Sequence, residues 1–132
     1  MPSQFSVSTH SSTEMVNITS QVRNELQHAD IKTGICTVYV PHTTAGITIN
    51  EGADPNVAGD MVMEINKIVP LQDGYTHAEG NSAAHIKTSF TGSSVQIPIE
   101  DSRLTLGTWQ SIFLCEFDGP RNRRVIVQVI GK

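Results

Sequence analysis

The chain has 132 residues, 38% of them hydrophobic and 17% charged, with a formal net charge of −4 at pH 7. That length suits a single domain over residues 1–132 with one core, and the composition excludes a disordered chain. No apolar run approaches a membrane span, no basic stretch precedes an apolar block at the N-terminus, and the acidic balance speaks against nucleic acid. A cytoplasmic protein with neither a membrane nor a nucleic-acid partner is the expectation.

In residues 4–13, Phe5, Val7 and Thr9 alternate with Gln4, Ser6 and Ser8, the period of a half-buried strand, with His10 at the surface. A helix is expected from Asn17-Ile18-Thr19 through Asp30, capped by Thr19 or Ser20. Ile18, Val22, Leu26 and Ala29 form its apolar stripe, and His28 lies on its polar side. Ile35 to Val40 is β-branched and aromatic and predicts a buried strand, which Pro41 stops. His42-Thr43-Thr44-Ala45-Gly46 then makes a polar corner before a strand at residues 47–50. Such a corner is either a well-capped turn or the rim of a ligand site.

Asp54 and Pro55 are an N-cap and first-turn proline for a second helix, in which Val57, Met61, Ile65 and Ile68 recur at helical spacing. Met61 and Met63 are expected in or near the core. Pro70 ends the helix. The stretch Asp73 to Gly92 carries His77, Glu79 and His85. A short helix over Ser82–Ser89, capped by Asn81 or Ser82, places His77 in the loop before it and His85 in its first turns. Two imidazoles and a carboxylate can then converge, and those donors suit a divalent transition metal. His42 is a possible third imidazole. The spacing of His77 and His85 matches no zinc-finger or metalloprotease pattern, so two solvated loop histidines explain it as well.

Residues 94–99 predict a strand, with Pro98 marking an edge or an end. After a turn at residues 100–103 come Leu104-Thr105-Leu106 and Gly107-Thr108-Trp109-Gln110. Two strongly β segments close the chain, residues 111–117 and 123–130, and the intervening Asp118-Gly119-Pro120 suggests a hairpin. Cys36 and Cys115 lie in apolar runs and read as buried free thiols. Arg121 and Arg123 fall on one face of an extended chain, where guanidinium forks suit phosphate; a solvated charged turn is the alternative. The layout predicts the α+β class: a mainly antiparallel sheet or sandwich with two to three helices packed on it.

HTTAGITINEGADPN, HAEGNSAAHIKTSFTGSSVQIPI and LGTWQSIFLCEFDGPRNR stand together in this chain, and with them it resembles the YjbQ family, also called UPF0047, nearly end to end. One departure is that Ser102 precedes Arg103 where the family usually has glycine. The resemblance implies a homotrimer and a weak thiamine-phosphate synthase activity. That reaction joins an aminopyrimidine diphosphate to a thiazole phosphate and releases pyrophosphate. It also implies that His42, His77 and His85 form a metal- or anion-binding core, the metal a divalent ion, zinc or magnesium, and that His85 and Asp118 are catalytic. Thr43, Thr44, Asn50, Glu51, Asn81, Gln110 and Arg121 would bind a small phosphorylated metabolite. Two other readings stay open: a metal-dependent hydrolase, and a non-catalytic trimer that captures a metal or a phosphorylated metabolite. Trp109 reads as a core or interface residue.

Overall fold

The computed structural model describes residues 2–132. Strands β1 (Ser3–Ser8) and β2 (Glu14–Asn17) precede helix α1 (Thr19–Gln27). Then come β3 (Gly34–Tyr39), β4 (Ala45–Glu51), α2 (Pro55–Ile68) and α3 (Ser82–Thr91). Strands β5 (Ser94–Glu100), β6 (Arg103–Leu104), β7 (Gln110–Glu116) and β8 (Asn122–Gly131) complete the chain. One sheet has the order β1-β8-β3-β5-β6 and the other β2-β7-β4, with every pairing antiparallel. The α+β expectation holds.

The main core lies between the two sheets. Ile18, Val22 and Leu26 from the α1 segment meet Val38, Ile97, Val125 and Val127 of the first sheet and Ile47, Ile112 and Leu114 of the second. A smaller cluster of Ala84, Cys115 and Phe117, with Met15 and Ile65 against it, joins the second sheet to α2 and α3. Strand β7 is therefore covered on both faces, which is why residues 112–117 are buried without alternation. In β3 the pattern does alternate: Cys36 and Val38 are buried while Ile35 and Tyr39 are about half exposed, so this strand is buried on one face only.

The expected terminal hairpin does not form. β7 is the middle strand of its sheet, paired on both edges by β2 and β4, and β8 is likewise held between β1 and β3. The loop between them carries the chain from one sheet to the other and contains a cis Gly119–Pro120 bond. The N-terminal strand also differs, stopping at Ser8 before a separate β2 that α1 follows. Helix α1 is shorter than expected and neither Thr19 nor Ser20 caps it; Asn17 Oδ1 accepts from Thr19 N at 3.1 Å instead.

Helix α2 begins as its sequence dictates, with Asp54 Oδ1 accepting from Asn56 N at 2.9 Å and Pro55 in the first turn. None of its residues is fully buried, and Met63 and Ile68 are 50% and 61% exposed, so Met63 is not a core residue. Met61 and Ile65 border an apolar cavity of about 240 Å³ between the helix and Met15, Cys115 and Phe117. No described helix is long and apolar enough to cross a membrane.

Candidate functional site

The crossing from β7 to β8 places a buried ion pair between the sheets. Glu116 and Arg123 have side chains 0% and 5% exposed. Arg123 Nε donates to Glu116 Oε1 at 2.8 Å, and Nη2 donates to Glu116 Oε2, to Thr44 Oγ1 and to the Thr44 carbonyl. Thr9 Oγ1 donates to Glu116 Oε1 at 2.7 Å, and Asp118 N donates to Oε2 at 3.0 Å. Burial pushes the Glu116 carboxyl up, but these donors more than offset it and its pKa lies below the ordinary value. Thr44 and Arg123 are thus parts of the frame. Arg121 does not share a face with Arg123: it is exposed at the turn.

Asp118 begins the loop that faces α3. Arg121 Nη2 donates to Asp118 Oδ2 at 3.0 Å, and Nε donates to the Asp118 carbonyl at 2.8 Å. Asn81 Nδ2 donates to the same Oδ2 at 2.9 Å. Asn81 stands at the N-cap position of α3, yet its side chain makes no cap hydrogen bond there. A hydrogen-bonded line, Asn81–Asp118–Arg121, therefore ties the histidine-bearing loop to the turn between the sheets.

His77 and His85 do come together, with ring centroids 5.4 Å apart and planes at 89°. Glu79 Oε2 lies 3.9 Å from His77 Nε2. An open cleft bounded by Gly74, Tyr75, His77, Ser82 and His85 surrounds them. His42 does not join them. Its Nε2 accepts from Arg124 N at 2.9 Å, and burial together with the Arg123 and Arg124 charges lowers its pKa. No group of three or more His, Cys, Asp or Glu side chains able to hold a metal ion occurs among the described residues. Two imidazoles match zinc better than magnesium, which takes oxygen donors, but a catalytic zinc site takes three protein ligands. Within one chain His77 and His85 bring two imidazoles together, one donor fewer than such a site takes.

The other expected substrate residues lie elsewhere. Asn50 and Glu51 end β4, and Glu51 is the register partner of Gln110 on β7. Ala45 pairs with Glu116 at the opposite end of the same ladder, six residues away, which is about 20 Å along a strand. Asn50 Oδ1 accepts from Glu51 N, Glu51 Oε2 from Ala53 N and Gln110 Oε1 from Gly107 N. Trp109 is 64% exposed beside them, so it is not a core residue. Thr43 is exposed, next to buried Thr44.

Two residues near the loop escape a reading of spacing. Lys87 is 5% exposed, and its Nζ donates to Asn66 Oδ1. Burial lowers the pKa of that ammonium. The signal in the sequence was its place four residues after Ala83, on the inner face of α3.

A sequence model of the family described as UPF0047 protein YjbQ-like matches residues 3–132. The chain belongs to this family. A UPF0047 protein of Methanocaldococcus jannaschii is 47% identical over 128 residues, covering 97% of this chain and 93% of the relative. The family member YugU of Bacillus subtilis is 48% identical, covering 89% and 90%. A crystal structure of a YjbQ/UPF0047 protein from Clostridium acetobutylicum superposes with a TM-score of 0.95 at 47% identity, over 96% of this chain and 98% of that one. A crystal structure of a protein of unknown function from Sulfolobus solfataricus gives 0.96 at 34% identity, over 100% and 97%. Ser102 adopts a left-handed backbone that favours glycine, with φ of 62° after 51° at Asp101.

Proposed function

We propose that this protein acts on a small phosphorylated metabolite at the end of the sandwich where α3 meets the Asp118–Arg121 turn, as a transferase of the thiamine-phosphate synthase type. The observation that carries the reading is the Asn81–Asp118–Arg121 line beside the His77–His85 pair. Asp118 holds the Arg121 guanidinium through Nε and Nη2, leaving Nη1 and solvent-facing donors for phosphate oxygens. Breaking the bond to a leaving diphosphate builds negative charge on it, and a fixed guanidinium stabilises that charge. His85 borders the cleft with an imidazole, a group that can give or take a proton, and so suits the proton transfer of such a step.

A homotrimer is part of this proposal, and with it a site shared between copies. Met63, Ile68 and Leu71 are 50%, 61% and 64% exposed on and just after α2, three large apolar side chains that a neighbouring copy would cover. Asn50, Glu51 and Gln110 lie at the end of the β4–β7 ladder opposite Ala45 and Glu116, six residues from the Glu116 end that leads into the Asp118 turn. A neighbouring copy can bring that end against this one, and can supply the donor that a divalent metal ion at His77 and His85 would still need.

The test is steady-state turnover of an aminopyrimidine diphosphate with a thiazole phosphate by purified protein, with and without added zinc or magnesium. Expected is thiamine phosphate formation that falls roughly 100-fold in Arg121→Ala, in the range for losing a group that stabilises transition-state charge. The two-imidazole count within one chain favours a second reading, a non-catalytic phosphometabolite-binding trimer. Saturable ligand binding with no turnover under any metal condition would select it, and phosphate release alone would select a hydrolase.

A further inference from the structure

We propose that a second pocket, on the opposite face of α3 from the histidine cleft, binds the oxyanion of a small metabolite, phosphate or carboxylate, that carries an O–H or N–H donor beside it. The cavity measures about 300 Å³ and is bounded by Asn66, Leu71, Asn81, Lys87, Phe117 and Asp118. None of the residues bounding it also bounds the histidine cleft, while Asn81 and Asp118 are shared with the hydrogen-bonded line to Arg121.

Three groups define what the pocket lacks. Lys87 is 5% exposed, forms no ion pair among the described residues, and donates to the neutral Asn66 amide. An ammonium has three donors and rarely stays buried without an anion. Asn81 Oδ1 is fully buried with no hydrogen-bond partner. Its orientation is fixed, because turning the amide over would set Oδ1 against the Asp118 carboxylate that Nδ2 now serves at 2.9 Å. A buried acceptor left alone costs about 1–3 kcal/mol, so it calls for a donor. The Asp118 charge is already compensated by Arg121, which leaves the Lys87 cation uncompensated.

The backbone adds to this. Gly80, Asn81, Ala83 and Ala84 put the start of the ten-residue α3 at the pocket, and no side chain caps that helix. The positive end of a helix and its free amides favour an anion. An oxyanion between Lys87 and the helix start answers the cation. A hydroxyl, P–OH or N–H on the same molecule answers Asn81 Oδ1. Ala83, Ala84, Leu71 and Phe117 give the rest of the molecule an apolar wall.

The test is calorimetric titration of inorganic phosphate, and separately of glycolate, into the full-length protein. The variants are Lys87→Met, Asn66→Asp and the double variant His77→Ala/His85→Ala. Expected is saturable binding of at least one probe, and the one that binds identifies the oxyanion class. Lys87→Met should weaken it roughly tenfold or more, the loss that goes with one hydrogen bond to a charged group. Asn66 is exposed on α2, and Asn66→Asp gives Lys87 a carboxylate of its own. It should abolish probe binding while leaving Tm unchanged or higher, a combination a purely structural Lys87 would not give. The histidine double variant should bind the probe as wild type does. Absence of saturable binding to either probe, or wild-type affinity in Asn66→Asp, overturns the proposal. Binding lost only in the histidine double variant also overturns it, and would leave the histidine-site reading standing.

Discussion

A carboxylate and a guanidinium withdrawn from water hold only as a pair, and Glu116 and Arg123 are withdrawn almost completely. Arg123→Ala should therefore cost about 3–5 kcal/mol in denaturant unfolding, because it strands the Glu116 charge. The same residues set the response to acid. Glu116 titrates below its ordinary value in the folded protein, so the stability it contributes is present at neutral pH and is lost as pH falls through the folded value. The pKa of His42 is lowered too, by burial first and then by Arg123 and Arg124. Its contribution is whole above about pH 6.5, the unfolded value for histidine, and fades below it. Unfolding free energy should thus decline in two stages as pH is lowered below about 7. His42→Gln should remove the upper stage, and a curve unchanged by that substitution would refute the assignment. The thiols are the opposite case: burial pushes Cys36 up to about 11 and Cys115 to about 12. Both should label with a thiol reagent only as fast as the chain opens.

Two elements show where local sequence decides and where it does not. Glu100 pairs with Arg103 across a two-residue hairpin whose central residues, Asp101 and Ser102, both have positive φ. That is the turn which favours glycine in second place. Ser102→Gly should stabilise the protein by about 0.5–1 kcal/mol, the relief of a left-handed serine less the entropy glycine brings; a lower denaturation midpoint would contradict it. The start of α2 was legible from Asp54 and Pro55 alone, because a cap is a local matter. The partners of β7 and β8 were not. Both segments are apolar on successive residues, and a short turn between two such runs reads as a hairpin. Their real partners, β2 and β4 for one and β1 and β3 for the other, lie far away in the chain. The same limit applies to Asn81, whose expected cap role gave way to a bond with Asp118, 37 residues on.

At the scale of the whole molecule, the His77–His85 meeting was legible because a Gly80-Asn81 break and a helix start fold that stretch back on itself. The exclusion of His42 was not, since only tertiary structure brings Arg124 N to its ring. The scatter of Asn50, Glu51 and Gln110 to the far end of β4–β7 was equally invisible without the ladder. Sedimentation equilibrium at micromolar concentration should give a trimer, and Ile68→Lys combined with Leu71→Lys should shift it toward monomer by charging the exposed apolar face. A wild-type monomer would remove the shared-site part of the proposal. The most direct measurement for the central claim is calorimetric titration of thiazole phosphate into the wild-type protein and into Arg121→Ala. The account predicts saturable binding that weakens roughly tenfold or more on loss of the guanidinium. No saturable heat in the wild type, or an unchanged Kd in Arg121→Ala, would contradict it.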